Sequence, residues 1–131
     1  MSNCKVKFKS DIDGVVSNVT TFATLKKQNK NFSVTFFFDA EKSIEYTFSV
    51  IANKVTLKSN GMVSYSFTLE KGVKKSFAMD LLGGKTICEV NCINLLIKAE
   101  KKILVDAYYH LTVAGNIQKC KLSLEIEEVL C

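Results

Sequence analysis

The sequence predicts an all-β fold, a single antiparallel up-and-down meander closed into a barrel of about eight to ten strands. Three observations carry this. Apolar and polar residues alternate with period two along most of the 131-residue chain. Turn-forming dipeptides interrupt that alternation at short intervals. The connections left between strands are mostly about two to five residues, too short for a parallel crossover, so neighbours must run antiparallel. An open sheet of about ten strands with one apolar face would leave that face wet, whereas closure buries it and removes both edges. Nothing in the composition marks a linker or second domain, so residues 1–131 are read as one barrel domain.

The first strand places Val6, Phe8, Ser10 and Ile12 on one face and Lys5, Lys7, Lys9 and Asp11 on the other. Asp13-Gly14 follows, a dipeptide suited to a type I′ turn because both central residues need positive φ. A Val- and Thr-rich strand runs from Val15 to Lys26, and Asn29-Lys30-Asn31 turns the chain. Phe32, Val34, Phe36 and Phe38 then alternate with Ser33, Thr35, Phe37 and Asp39. Ile44, Tyr46, Phe48 and Val50 do the same against Ser43, Glu45, Thr47 and Ser49. A short strand with Val55 and Leu57 meets Asn60-Gly61, a strong hairpin signal, and Val63, Tyr65, Phe67 and Leu69 return. Gly72 precedes a strand carrying Phe77, Met79 and Leu81, which Gly83-Gly84 ends. Residues 85–98 are ambiguous: Cys88, Val90 and Cys92 share one parity, Ile87, Ile93 and Leu95 the other. Residues 91–102 also fit a helix through Ile93, Leu96, Ile97 and Glu100. The β-branched content and the missing N-cap favour a strand. Ile103, Val105, Ala107, Tyr109, Leu111 and Val113 alternate cleanly, Ala114-Gly115-Asn116 turns, and Cys120, Leu122, Leu124 and Ile126 close the meander.

All eighteen cationic side chains are Lys, in a chain of net charge +5. Base and phosphate readers rely on the bidentate fork of Arg, so this surface reads as a solvated Lys face and not a nucleic-acid partner's site. No apolar run approaches the roughly 18 residues of a membrane span. The start, Met1-Ser2-Asn3-Cys4-Lys5-Val6-Lys7, has no apolar core of a secretory signal, which predicts a cytoplasmic, reducing location and free thiols at Cys4, Cys88, Cys92, Cys120 and Cys131. Cys88 and Cys92 would lie about 13 Å apart on a strand, too far to share a metal, and neither a metal nor a cofactor is expected.

One parity from each strand gives an interior of Phe8, Phe22, Phe36, Tyr46, Phe48, Tyr65, Phe67, Phe77 and Tyr109. These rings can fill the barrel, each phenol meeting a backbone or water partner near a barrel end. They can also line an apolar pocket with phenols as its polar handles. The candidate ligand-binding residues are Phe36, Tyr46, Phe48, Tyr65, Phe67 and Tyr109, for a small apolar or amphipathic molecule. The alternative is a structural or protein-interaction module with a filled barrel, a homodimer motivated by the outward apolar residues Phe37, Ile87, Ile93, Leu104 and Tyr108. No catalytic residue is assigned. His110, the lone imidazole, falls on the outward parity about 13 Å along the strand from Asp106. Asp11 and Asp13 read as turn chemistry, Glu125, Glu127 and Glu128 as a solvated face. Gly72 and Gly83-Gly84 precede strands, so no phosphate loop is implied.

From Leu69 to Glu125 the chain resembles the YwiB-like family of small bacterial barrel proteins. The features carrying the resemblance are Gly72, the Gly twelve residues on at Gly84, and the long strand after it. Ile103 to Asn116 also matches, with its Tyr109-His110-Leu111-Thr112-Val113 core and following turn. A weaker match covers the N-terminal half, where a Thr-rich strand and Lys26-Lys27-Gln28-Asn29-Lys30 precede an aromatic strand. The chain departs from the family at Met79-Asp80-Leu81-Leu82-Gly83-Gly84, which lacks the family's Pro and aromatics, and at Val90-Asn91-Cys92 in place of Thr-x-Thr. The resemblance implies a lipocalin/calycin-like barrel, and no activity follows from it.

Overall fold

The structure, a computed structural model, describes residues 2–38, 43–61, 63–81 and 83–129. Its ten strands are β1 (Ser2–Ile12), β2 (Val15–Gln28), β3 (Asn31–Phe37), β4 (Glu45–Ile51), β5 (Lys54–Asn60), β6 (Ser64–Leu69), β7 (Lys74–Leu81), β8 (Gly84–Ala99), β9 (Ile103–Val113) and β10 (Asn116–Glu128). Each strand pairs antiparallel with its sequence neighbour, and β1 with β10, so the meander closes into a barrel as the alternation predicts. Cys131 lies outside the described residues. Among them, no helix is long and apolar enough to cross a membrane.

The turns follow local chemistry. Asp13 and Gly14 adopt φ of 50° and 88°, the type I′ geometry their sequence demands. Asp11 Oδ1 accepts from the Gly14 amide at 2.8 Å, and Asp13 Oδ1 accepts from the Lys119 amide at 2.8 Å, tying this hairpin to β10. These two carboxylates are therefore engaged in turn chemistry. Asn60-Gly61 works differently. Neither residue has positive φ; Asn60 ends β5, and a Cβ at Gly61 would lie 2.9 Å from the Ser43 carbonyl oxygen. That glycine allows close backbone approach to the β3–β4 connection rather than a left-handed turn.

One sequence reading is met here and one changes. The stretch that also fitted a helix is strand as far as Ala99, the favoured reading, and a β-bulge between Cys92 and Asn94 explains its mixed parity. Cys88, Val90 and Cys92 face inward before the bulge; Leu95 and Ile97 face inward after it, and Ile93 is extruded. Phe22 does not belong to the interior. The two-residue turn at Asp13-Gly14 sets Phe22 opposite Lys5, on the outer face, where it is 71% exposed, while Val19, Ala23 and Leu25 turn inward.

The core is one cluster drawn from every strand but β7, whose partly buried Phe77 packs against it, with Val6, Leu25, Phe48, Leu69, Leu124 and Ile126 fully buried. Each such side chain contributes roughly 1.5–3 kcal/mol, which makes this face the chief source of stability. The wall is not uniform. Among the described residues β2 pairs with β3 only from Thr24 to Gln28, and β6 pairs with β7 only at Ser64 and Tyr65. Phe67 and Phe77 pack across the second interruption with ring centroids 5.2 Å apart.

Candidate functional site

Period-two geometry brings all six predicted site residues into the barrel, where they divide into two aromatic groups. Phe36, Tyr46 and Phe48 surround Phe8, with centroids 5.8, 5.7 and 5.4 Å from its ring, and Phe36 stacks on Phe48. Tyr65, Phe77 and Tyr109 surround Phe67 at 5.6, 5.2 and 5.7 Å. Rings at such separations occupy the middle of the barrel with side chains.

The hydroxyls gather toward the end of the barrel that carries the β1–β2 and β9–β10 turns. The Tyr46 and Tyr65 hydroxyls lie near one another, with Ser59 near Tyr65 and the Cys120 thiol near Tyr109. Burial raises the pKa of all three phenols and is the largest cause for each. Burial also pushes the Cys120 thiol to about 11, with the Asp13 carboxylate adding to the rise. Cys4, Cys88 and Cys92 are buried, free of disulfide, and raised chiefly by burial as well. These groups stay protonated at neutral pH, so the interior is a neutral layer with no activated thiolate among the described residues.

Open space lies elsewhere. At the opposite end a cavity of about 660 Å³ spans the mouth between the β2–β3, β4–β5 and β8–β9 connections. Its walls are the inward-facing Phe32, Val50, Ile97 and Ile103, and its rim carries Lys27, Lys30 and Glu100. Lys27 pairs with Glu128 across the strand ends. A second concavity of about 460 Å³ lies on the outer wall over β1, β10, β9 and the bulge of β8, lined by Lys9, Asp11, Asn94, Asp106, Tyr108 and Lys121, among others. Beside it Tyr108 Oη and His110 Nε2 are 3.2 Å apart, so the lone imidazole is engaged by a phenol on the outward face. Neither space is lined by the six interior aromatics. Sequence reasoning missed the mouth because turn residues of three hairpins form it, and only closure brings them together.

The outward apolar residues do not form one patch. Phe37 lies on β3, Ile87 near the start of β8, Ile93 in the bulge, and Tyr108 and Leu104 on β9, with Leu104 between Lys98 and Glu125. Among the described residues, no group of three or more His, Cys, Asp or Glu could hold a metal ion.

No protein-family model matches the sequence, and no curated protein matches it. A crystal structure of the ywiB protein from Bacillus subtilis is similar at a TM-score of 0.82. The match covers 98% of this chain and 93% of that one at 12% sequence identity. The likeness to the YwiB-like family expected from the sequence is therefore met at the level of the fold, and the chain has the fold of YwiB.

Proposed function

We propose that this barrel is a non-catalytic binding module for a small amphipathic molecule, seated in the mouth lined by Phe32, Val50, Ile97 and Ile103. The observation carrying this reading is the 660 Å³ space itself, which is apolar in its walls and carries Lys30 on its rim, beside Glu100 and the Lys27–Glu128 ion pair. Sites of this size and composition hold one ligand by apolar burial and orient it with few polar groups. An anionic head at Lys30 with a hydrocarbon body against the four apolar side chains matches both features. The packed rings of Phe36, Tyr46, Phe48, Tyr65, Phe67 and Tyr109 then form the rigid structure behind the pocket. A cytoplasmic module without a bound cofactor fits the free, protonated thiols.

Native mass spectrometry of protein purified from its own host, together with titration of dodecanoate followed by amide chemical shifts, tests the reading. The expected result is a retained small-molecule mass and shifts confined to the β2–β3, β4–β5 and β8–β9 ends. Ile97→Glu, which puts a charge of the head group's own sign into the apolar wall, is expected to weaken dodecanoate binding at least tenfold, a loss of about 1.4 kcal/mol. Shifts on the outer wall instead of the mouth, or binding unchanged by Ile97→Glu, would overturn it.

A further inference from the structure

Among the described residues, the first half of β2 has an open edge. The pairing of β2 with β3 begins only at Thr24, so among the described residues Val15 to Ala23 are hydrogen-bonded on the β1 side alone. The register tells which backbone groups are left over. The Asp13-Gly14 turn is closed by Ile12 and Val15, and a two-residue hairpin closes on a hydrogen-bonded pair. Pairs then alternate along an antiparallel ladder, so Val15, Ser17, Val19, Thr21 and Ala23 bond to β1. The β2–β3 turn, closed by Gln28 and Asn31, gives the same assignment from the other end. Val16, Asn18, Thr20 and Phe22 therefore aim their N–H and C=O groups away from the barrel wall.

Exposed edges are usually blunted by Lys, Pro, a bulge or brevity. This one has none of these. From Val15 to Leu25 there is no charged residue and no Pro, in a chain that is 24% charged. Its outer face also shows Val16 at 47% and Phe22 at 71% exposure. The comparable break at β6 is shorter and is packed over by the Phe77 ring.

We propose that this edge pairs with the same edge of a second copy of the chain, antiparallel about a two-fold axis at Val19. That register is the one that uses every leftover group: Val16 exchanges two hydrogen bonds with the partner's Phe22, Asn18 with the partner's Thr20, and the reciprocal pairs complete the ladder. On the outer face it sets each exposed Phe22 against the partner's Val16, an aromatic–β-branched pair of the kind that stabilises sheets. On the other face Val19 meets the partner's Val19, and Ser17 meets the partner's Thr21. No like charges oppose one another. The Lys5, Lys7 and Lys9 rows of the two copies are separated by three strand spacings, roughly 14 Å, beyond the screening length of about 8 Å at physiological salt. An edge without charge offers nothing to select an acidic or basic peptide, whereas its own sequence is complementary to itself.

The test is solution mass by light scattering with amide hydrogen exchange. Wild type is expected at twice its 14.6 kDa mass. Exchange at Asn18, Thr20 and Phe22 is expected to speed up at least tenfold on dilution to monomer, while Ser17, Val19 and Thr21 stay protected. Asn18→Glu with Thr20→Glu opposes like charges across the two-fold, yet within one chain each Glu lies beside Lys9 or Lys7, so the barrel keeps its fold. That variant is expected to be monomeric. Asn18→Lys with Thr20→Glu, which pairs opposite charges across the axis, is expected to restore the dimer. A monomeric wild type, a dimer indifferent to the double Glu variant, or an edge that takes up an unrelated extended peptide in preference to its own copy would overturn the proposal.

Discussion

Ala114 and Ala52 hold positive φ, 50° and 52°, where an L side chain crowds the following carbonyl. Each occupies the first central position of a two-residue hairpin turn, before Gly115 and Asn53. Asn tolerates that conformation because its side chain bonds locally. Ala114→Asn creates the preferred Asn-Gly pair without touching the core and is expected to stabilise the barrel by about 1 kcal/mol. Thermal unfolding should show a midpoint higher by about 2–8 °C; an unchanged or lower midpoint would mean the turn stores no such strain. Turn residues were the most legible part of the sequence where the dipeptide itself dictates geometry, as at Asp13-Gly14. They were less so at Asn60-Gly61, where the glycine answers to the Ser43 carbonyl, a neighbour distant in the chain.

The bulge in β8 sets which side chains the longest strand presents to the core. It changes the inward parity from Cys88, Val90 and Cys92 to Leu95 and Ile97, and so lets one strand of 16 residues follow the curved wall. Deleting Ile93 would remove the extra residue and leave an unbroken ladder, with Asn94 following Cys92 and with Leu95 and Ile97 still facing inward. The deletion is expected to keep the fold and to cost about 1–2 kcal/mol through lost curvature of the wall. Loss of a cooperative urea transition would show that closure depends on the bend the bulge supplies. Parity arguments from sequence assume an unbroken alternation, so they read most strands correctly and left this stretch undecided. The interior set takes one parity of the Val15–Lys26 strand and so places Phe22 inward. Counting pairs back from the Asp13-Gly14 turn would have set it beside Lys5 on the outer face, a signal that was present in the sequence.

Barrel closure collects titratable groups of distant strands on the inner face and makes stability sensitive to alkaline pH. Tyr46, Tyr65, Tyr109, Cys4, Cys88, Cys92 and Cys120 are neutral when protonated, and burial is the leading cause raising each of them. The unfolded chain releases these protons first, near 9.0 for the thiols and 10.0 for the phenols, while the folded chain holds them to higher pH. Above pH 9 the unfolded state thus binds fewer protons than the native state, and unfolding free energy must fall as pH rises. The stabilising contribution is fully present below pH 9 and, for Cys120, is lost as pH climbs through its folded value of about 11. Cys120 alone accounts for a drop on the order of 2 kcal/mol, and the phenols extend the decline further. Urea midpoints measured from pH 8 to 11 should be level at first and then decrease steadily. Cys120→Ser, which keeps a small hydrogen-bonding group beside Tyr109 but does not ionise in this range, should flatten the early part of the decline. A wild-type midpoint that stays constant to pH 11 would show that water reaches these groups, and the sealed hydroxyl layer would have to be abandoned.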